Sequence, residues 1–171
     1  NAGSGINFMG EPILSIERWL RTPLGSYMKA WEQAQCDAIV ADLFGYHALQ
    51  LGLPDLHTLQ TNRMPHRWLA VAHEPENFET KPVAETLTPI DFVTDYTALP
   101  FFENSLDLLV LPHSLELSAD PHATLREAQR VLVPEGKLLI ISFNPISLWG
   151  FKRWRQPDFI RRQRGGPHLG P

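Results

Sequence analysis

The chain has 171 residues, 43% of them hydrophobic and 20% charged, with a formal net charge of −4. That supplies enough apolar material for one core, and the surplus of acid excludes a body that holds nucleic acid through charge alone. Its one cysteine, Cys36, excludes an internal disulfide and a cysteine-rich metal site, which suits a reducing cytoplasm.

The longest apolar runs are far shorter than the roughly 20 residues of a membrane span. No basic segment followed by an apolar stretch opens the chain, so no signal peptide is expected. Residues 1–14 read as disordered or tag-derived, residues 15–150 as one α/β domain with N-terminal helices, and residues 151–171 as a basic, aromatic C-terminal segment.

Residues 15–20 and 26–44 read as helices. In the second, Tyr27, Ala30, Trp31, Ala34, Ala38, Val40, Ala41 and Phe44 recur at helical intervals and predict one inward apolar face. Ser26 is a candidate N-cap, and Gly45 is placed to end the helix. His47 to Gly52 reads as a strand, followed by a turn and a short helix or irregular piece to Asn62.

Residues 68–72 form a second strand candidate. The proline-containing stretch 75–89 reads as a surface loop. Residues 90–94 and 106–111 are further strands. Residues 120–133 form an amphipathic helix capped by Asp120, with Pro121 at its first position. Pro134-Glu135-Gly136 ends it before a last apolar strand at 138–143. Strands apolar on both faces and alternating with helices predict an α/β fold with a parallel sheet covered on two sides.

The stretch from Asp95-Tyr96-Thr97-Ala98-Leu99-Pro100-Phe101 through Asn104-Ser105-Leu106-Asp107-Leu108 strongly resembles the centre of class I, S-adenosylmethionine-dependent methyltransferases of the type 11 subgroup. The match continues through Asp120-Pro121, Leu125-Arg126-Glu127 and Arg130-Val131-Leu132-Val133-Pro134-Glu135-Gly136. It covers about fifty residues with several motifs in register. It is closest to a bacterial branch in which Phe143-Asn144-Pro145-Ile146-Ser147-Leu148-Trp149-Gly150 follows the fifth strand.

The resemblance implies a Rossmann-like, doubly wound sheet of order 3-2-1-4-5, with the family's last two strands missing or truncated. Ligands of such sheets bind beyond the carboxyl ends of the strands. Carried over by position, Gly52 approaches the cofactor, Glu74 binds the ribose hydroxyls, Asp95 takes the adenine amino group, and the Tyr96 backbone lies beside the adenine ring. Gln50 stands where the family has an acid facing the cofactor's amino group. The family's glycine-rich turn is reduced here to Gly52-Leu53-Pro54, in which proline removes a backbone donor.

Each residue has a plainer role as well. Asp95 suits a turn cap, and Gly52 a simple turn. His73 and Glu76 compete with Glu74 for the ribose. His113, directly after the fourth strand, is the candidate catalytic base, or else a hydrogen-bonded wall of the pocket. Asp107 reads as a turn-closing acid. The seven histidines are scattered without zinc-helix spacing, so no metal is expected.

The function implied is methyl transfer from S-adenosylmethionine to a small or lipid-like acceptor, in the cytoplasm. The alternative is a non-catalytic binding or scaffold protein on a degenerate methyltransferase fold. Residues 152–164 hold six basic side chains against one acid, among aromatics. They suggest weak contact with a membrane surface, an amphipathic helix or a lid, and no specific nucleic acid. A homodimer through the strand-five edge or the aromatic tail is a further expectation.

Overall fold

The computed structural model describes residues 16, 19–73 and 89–143. Thr22 opens helix α1, Pro23–Val40: its Oγ1 accepts a hydrogen bond from the Gly25 N–H at 3.1 Å, and Pro23 occupies the first turn. The helix therefore begins ahead of Ser26, the cap expected from the sequence. Strand β1, His47–Leu51, follows, then β2, His66–Val71, and β3, Phe92–Val93. Strand β4, Leu106–Pro112, leads into helix α2, Ser114–Leu117, and helix α3, Pro121–Val131. Strand β5, Leu132–Ile141, completes the described elements.

The strands form one sheet in the order β3-β2-β1-β4-β5, parallel at every pairing. This is the α/β, doubly wound topology expected. The further strands of the family would fall after residue 143, outside the described residues. The β4 sequence explains its central place: Leu106, Leu108, Leu109, Val110 and Leu111 are all fully buried, as a strand covered on both faces requires. On one face Leu49, Leu51, Leu109 and Leu111 pack with Ala128 and Val131 of α3. On the other, Ala48, Leu108 and Val110 pack with Val40 of α1.

Helix α3 is capped as its sequence predicts, with Asp120 Oδ1 accepting from the Ala123 N–H at 2.9 Å. It stops at Val131, and the Pro134-Glu135-Gly136 turn becomes an irregularity inside β5, where the register to β4 shifts.

Helix α1 overturns one expectation. Of its periodic apolar side chains Val40 is buried as expected, but the large aromatic ones face outward, with Tyr27 70%, Trp31 54% and Phe44 beyond its end 76% exposed. The buried positions are Gly25, Glu32, Cys36 and Val40. Polar bonds set this rotation. The Gln33 side chain donates to His57 O and accepts from His57 N–H, both at 2.9 Å. Gln60 Nε2 reaches Asp37 Oδ2 at 2.7 Å, and Asn62 Nδ2 donates to Val40 O at 2.8 Å. No helix among the described residues is long and apolar enough to cross a membrane.

Candidate functional site

In a sheet of this order the direction of strand succession reverses between β1 and β4, and the crevice beyond their carboxyl ends is the natural ligand site. Gly52 leaves β1 there with φ +84°, a conformation that suits glycine. A methyl group on Gly52 would stand 3.0 Å from the Tyr96 hydroxyl and 3.1 Å from Ser114 Oγ. The ends of β1, β3 and β4 thus meet at one point. Ser114 Oγ donates to the carbonyls of Leu51 and Pro112 and ties β1 to β4. Tyr96 is largely buried, and burial raises its phenol well above the ordinary range, against a backbone hydrogen bond from Ala72 that lowers it.

Asp95, just before it, is exposed. Its Oδ1 accepts from the Thr97 N–H and from Thr97 Oγ1, both at 2.8 Å. These bonds hold its carboxyl below the usual range. The turn cap foreseen for Asp95 is therefore real, and it leaves the residue on the rim beside Tyr96.

Gln50 is buried and faces its own loop rather than the rim. Its Nε2 donates to the carbonyls of Gly52, Leu53 and Leu56 at 2.9, 3.1 and 2.8 Å. Its Oε1 accepts from Thr58 N–H at 3.1 Å and Thr58 Oγ1 at 2.6 Å. The residues from Gly52 to Pro65 form successive turns around this amide, with no helix. Leu53, next in the loop, takes a left-handed φ of 48° and is buried.

Glu74 lies outside the described residues, and so does the basic segment 152–164. His73 is described and exposed. His113 sits at the end of β4 with φ 54° and is fully buried. Its Nε2 lies 3.2 Å from both carboxylate oxygens of Glu32, and its ring stacks on Phe143 at 4.2 Å. Burial pulls the His113 pKa down, but the hydrogen bond and charge of Glu32, with the charge of Glu116, outweigh it and leave the value raised. The His113 ring is thus closed off from solvent, between Glu32 and Phe143.

Sequence reasoning missed Glu32, because the outward face of α1 is the more apolar one and drew the periodicity. It also left Glu127 and Arg130 without a role. Arg130 donates to the carbonyls of Leu99 and Phe101 and to Glu127, while Glu127 Oε1 accepts from Leu99 N–H at 2.8 Å. Together they clamp the Leu99-Pro100-Phe101 loop that follows Asp95 and Tyr96. Asp107 closes a turn as expected: its Oδ2 accepts from the Tyr46 and His47 N–H groups at 2.8 and 3.0 Å. No group of three His, Cys, Asp or Glu side chains among the described residues is arranged to hold a metal ion.

Residues 63–140 match the family model of the methyltransferase domain. An uncharacterised Escherichia coli (strain K12) protein, YafS, is 31% identical over 144 residues, which cover 84% of this chain and 55% of YafS. Malonyl-[acyl-carrier protein] O-methyltransferase 1 of Coxiella burnetii is 43% identical over 56 residues, 33% of this chain and 20% of that protein. Among solved structures, the fold is similar to a chain in the complex of the Haloferax volcanii Trm112 methyltransferase activator with a chain described as a methyltransferase. The TM-score is 0.52 at 23% identity, covering 73% of this chain and 58% of that one. The chain therefore spans about half, or less, of the length of these relatives.

Proposed function

Because residues 63–140 match the methyltransferase-domain model and the sheet has the matching strand order, we propose that this chain is a class I, S-adenosylmethionine-dependent methyltransferase that binds S-adenosylmethionine at the rim formed by Gly52, Asp95 and Tyr96 and methylates a small or lipid-like acceptor. The observation that carries this reading is the convergence of Gly52, Tyr96 and Ser114 at the point where the strand order reverses. The donor set fits the adenosine end of such a cofactor. Asp95 offers an exposed carboxylate that can accept from an adenine amino group, and Gly52 presents backbone without a side chain. Glu74, three residues beyond Val71 at the end of β2, remains the residue proposed for the ribose hydroxyls.

When bound, S-adenosylmethionine supplies an electrophilic methyl group, so the protein needs no nucleophile of its own. Its residues bind and orient the two reactants and keep water out, which is where rate enhancement in such a transfer arises. Glu127 and Arg130 hold the loop that carries Asp95 and Tyr96. Gln50 shapes the turn that presents Gly52, a role in the scaffold rather than at the cofactor. Cys36 is a buried thiol pushed up to about 11 by burial and then by Glu32 and Asp37, so it stays protonated and unreactive.

A second reading, a non-catalytic binding domain on this fold, is favoured by one observation. The Tyr96 and Ser114 hydroxyls fill the space directly over Gly52. Both are side-chain ends that rotation can move, so they obstruct a ligand without excluding it. Titration calorimetry with S-adenosylmethionine and S-adenosylhomocysteine separates the readings. Binding that falls about 5- to 150-fold in Asp95→Ala, the effect of one lost buried hydrogen bond, supports the first. No heat at millimolar cofactor establishes the second.

A further inference from the structure

The Glu32 carboxylate is buried on a helix whose outer face is apolar, yet burying a charge without a partner is costly. Among the described residues its ion-pair partner is His113. The histidine is itself held by several elements, although its Nδ1 has no hydrogen-bond partner among the described residues. Its backbone N–H donates to Ile141 O at 2.7 Å, Phe143 stacks on its ring, and Trp19 meets Phe143 edge-on at 5.2 Å. Glu116 Oε1 accepts from the Phe143 N–H at 2.6 Å. The other Glu116 oxygen lies 3.5 Å from His113 Nδ1, long for a hydrogen bond.

One imidazole therefore joins α1, the β4–α2 turn and the end of β5. Its left-handed backbone also fixes the direction of the next residue, Ser114, whose hydroxyl ties Leu51 to Pro112 beside Gly52. A non-glycine residue in this conformation persists only when its surroundings hold it there.

We infer that Glu32 is a positioning residue of the site, acting through His113 to hold the left-handed turn that places Ser114 against Leu51 and Gly52. The inference deepens the methyltransferase reading, since Ser114 borders the place proposed for the cofactor. The shape of the crevice is then coupled to the charge of His113. An imidazolium neutralises the buried Glu32 carboxylate, and loss of the proton leaves that charge unbalanced and loosens α1 from the rim.

Among the described residues, the ionisable groups facing the imidazole are Glu32 from α1 and Glu116 from α2, and beyond the end of β5 the uncharged Phe143 stacks on it. Cys36, one turn from Glu32, stays a neutral thiol because its pKa is pushed up to about 11.

The test is an NMR pH titration of histidine-labelled and amide-labelled protein without ligand, followed by calorimetry with S-adenosylmethionine. In the wild type, the amide resonances of Ser114 and Gly52 are expected to titrate with the His113 ring and with its midpoint. Glu32→Gln is expected to lower that midpoint and uncouple the amides, and Glu32→Asp to restore part of the coupling. Cofactor affinity in Glu32→Gln should fall on the order of 10-fold, equivalent to 1.4 kcal/mol, and lose its dependence on the His113 midpoint.

A purely structural Glu32 would lower the melting temperature without linking those amides to the imidazole. Ser114 and Gly52 amides that ignore the His113 titration in the wild type overturn the inference, and that measurement stands even if the variants fail to fold. A His113 midpoint unmoved in a folded Glu32→Gln variant overturns it equally. Absence of S-adenosylmethionine binding defeats the proposed function alone, because the ligand-free titration still decides the role of Glu32.

Discussion

Replacing Gln50 with leucine tests whether the loop after β1 is organised by one amide. The native side chain is 3% exposed and bridges the carbonyls of Gly52, Leu53 and Leu56 on one end and Thr58 on the other. An amide has two N–H hydrogens, so its three carbonyl contacts amount to about two full bonds, and its oxygen takes two more. At about 1 kcal/mol net for each bond, and more for any polar group left dry, Gln50→Leu should cost about 3–5 kcal/mol. Against a total stability of about 5–15 kcal/mol for an ordinary domain, that is a large fraction. With a urea slope of about 2 kcal/mol/M, the unfolding midpoint followed by circular dichroism should drop by roughly 2 M.

Gln50→Glu keeps the shape but removes the donors and sets a carboxylate against three carbonyl oxygens. Burial and those oxygens raise the new group's pKa in the folded state. Its stability is thus retained below about 4.3, the unfolded value, and lost as pH rises through the folded one. This variant should be weakest near neutral pH and recover on acidification. A Gln50→Leu cost below about 1 kcal/mol would refute the claim that the amide builds the loop.

Trp31→Gln should change stability by no more than about 0.5 kcal/mol, as for an exposed residue, whereas a core tryptophan would cost about 3–5 kcal/mol in urea unfolding. Asp107→Ala removes the acceptor of two backbone N–H groups and should cost about 1–2 kcal/mol by the same assay. Arg130→Ala frees the Leu99 and Phe101 carbonyls and should cost about 1–2 kcal/mol, with greater protease sensitivity of the 95–105 loop as its local signature. Because the His113 pKa is raised in the folded state, its contribution is complete below about 6.5 and lost as pH rises through the folded value. Urea stability should therefore decline across that window, and Glu32→Gln should flatten the decline.

The sequence by itself determined the sheet. Runs such as Leu108-Leu109-Val110-Leu111 are apolar on both faces, and only a covered parallel strand buries both. The spacing of Asp120, Pro121 and the motif after it placed α3, because caps act through bonds to near neighbours in the chain. Gly52, Asp95, Tyr96 and the residues after β4 came to one rim for the same reason, since each follows the end of a strand in a sheet whose order the motifs imply.

The tertiary structure alone decided which way α1 faces. Its apolar periodicity, led by Tyr27 and Trp31, pointed those residues inward, but Glu32, Gln33 and Asp37 find their partners 24 or more residues away in His57, Thr61 and His113. Long-range polar bonds of this kind leave no period in a sequence. Gln50 shows the same limit. The resemblance set it where the family has an acid facing the cofactor, and only the fold reveals that its amide is bonded to the loop it shapes. Glu32 and His113 lie 81 residues apart in the chain, and nothing local to either one announces the pair, because a buried charge is legible only once its counter-charge has been brought beside it.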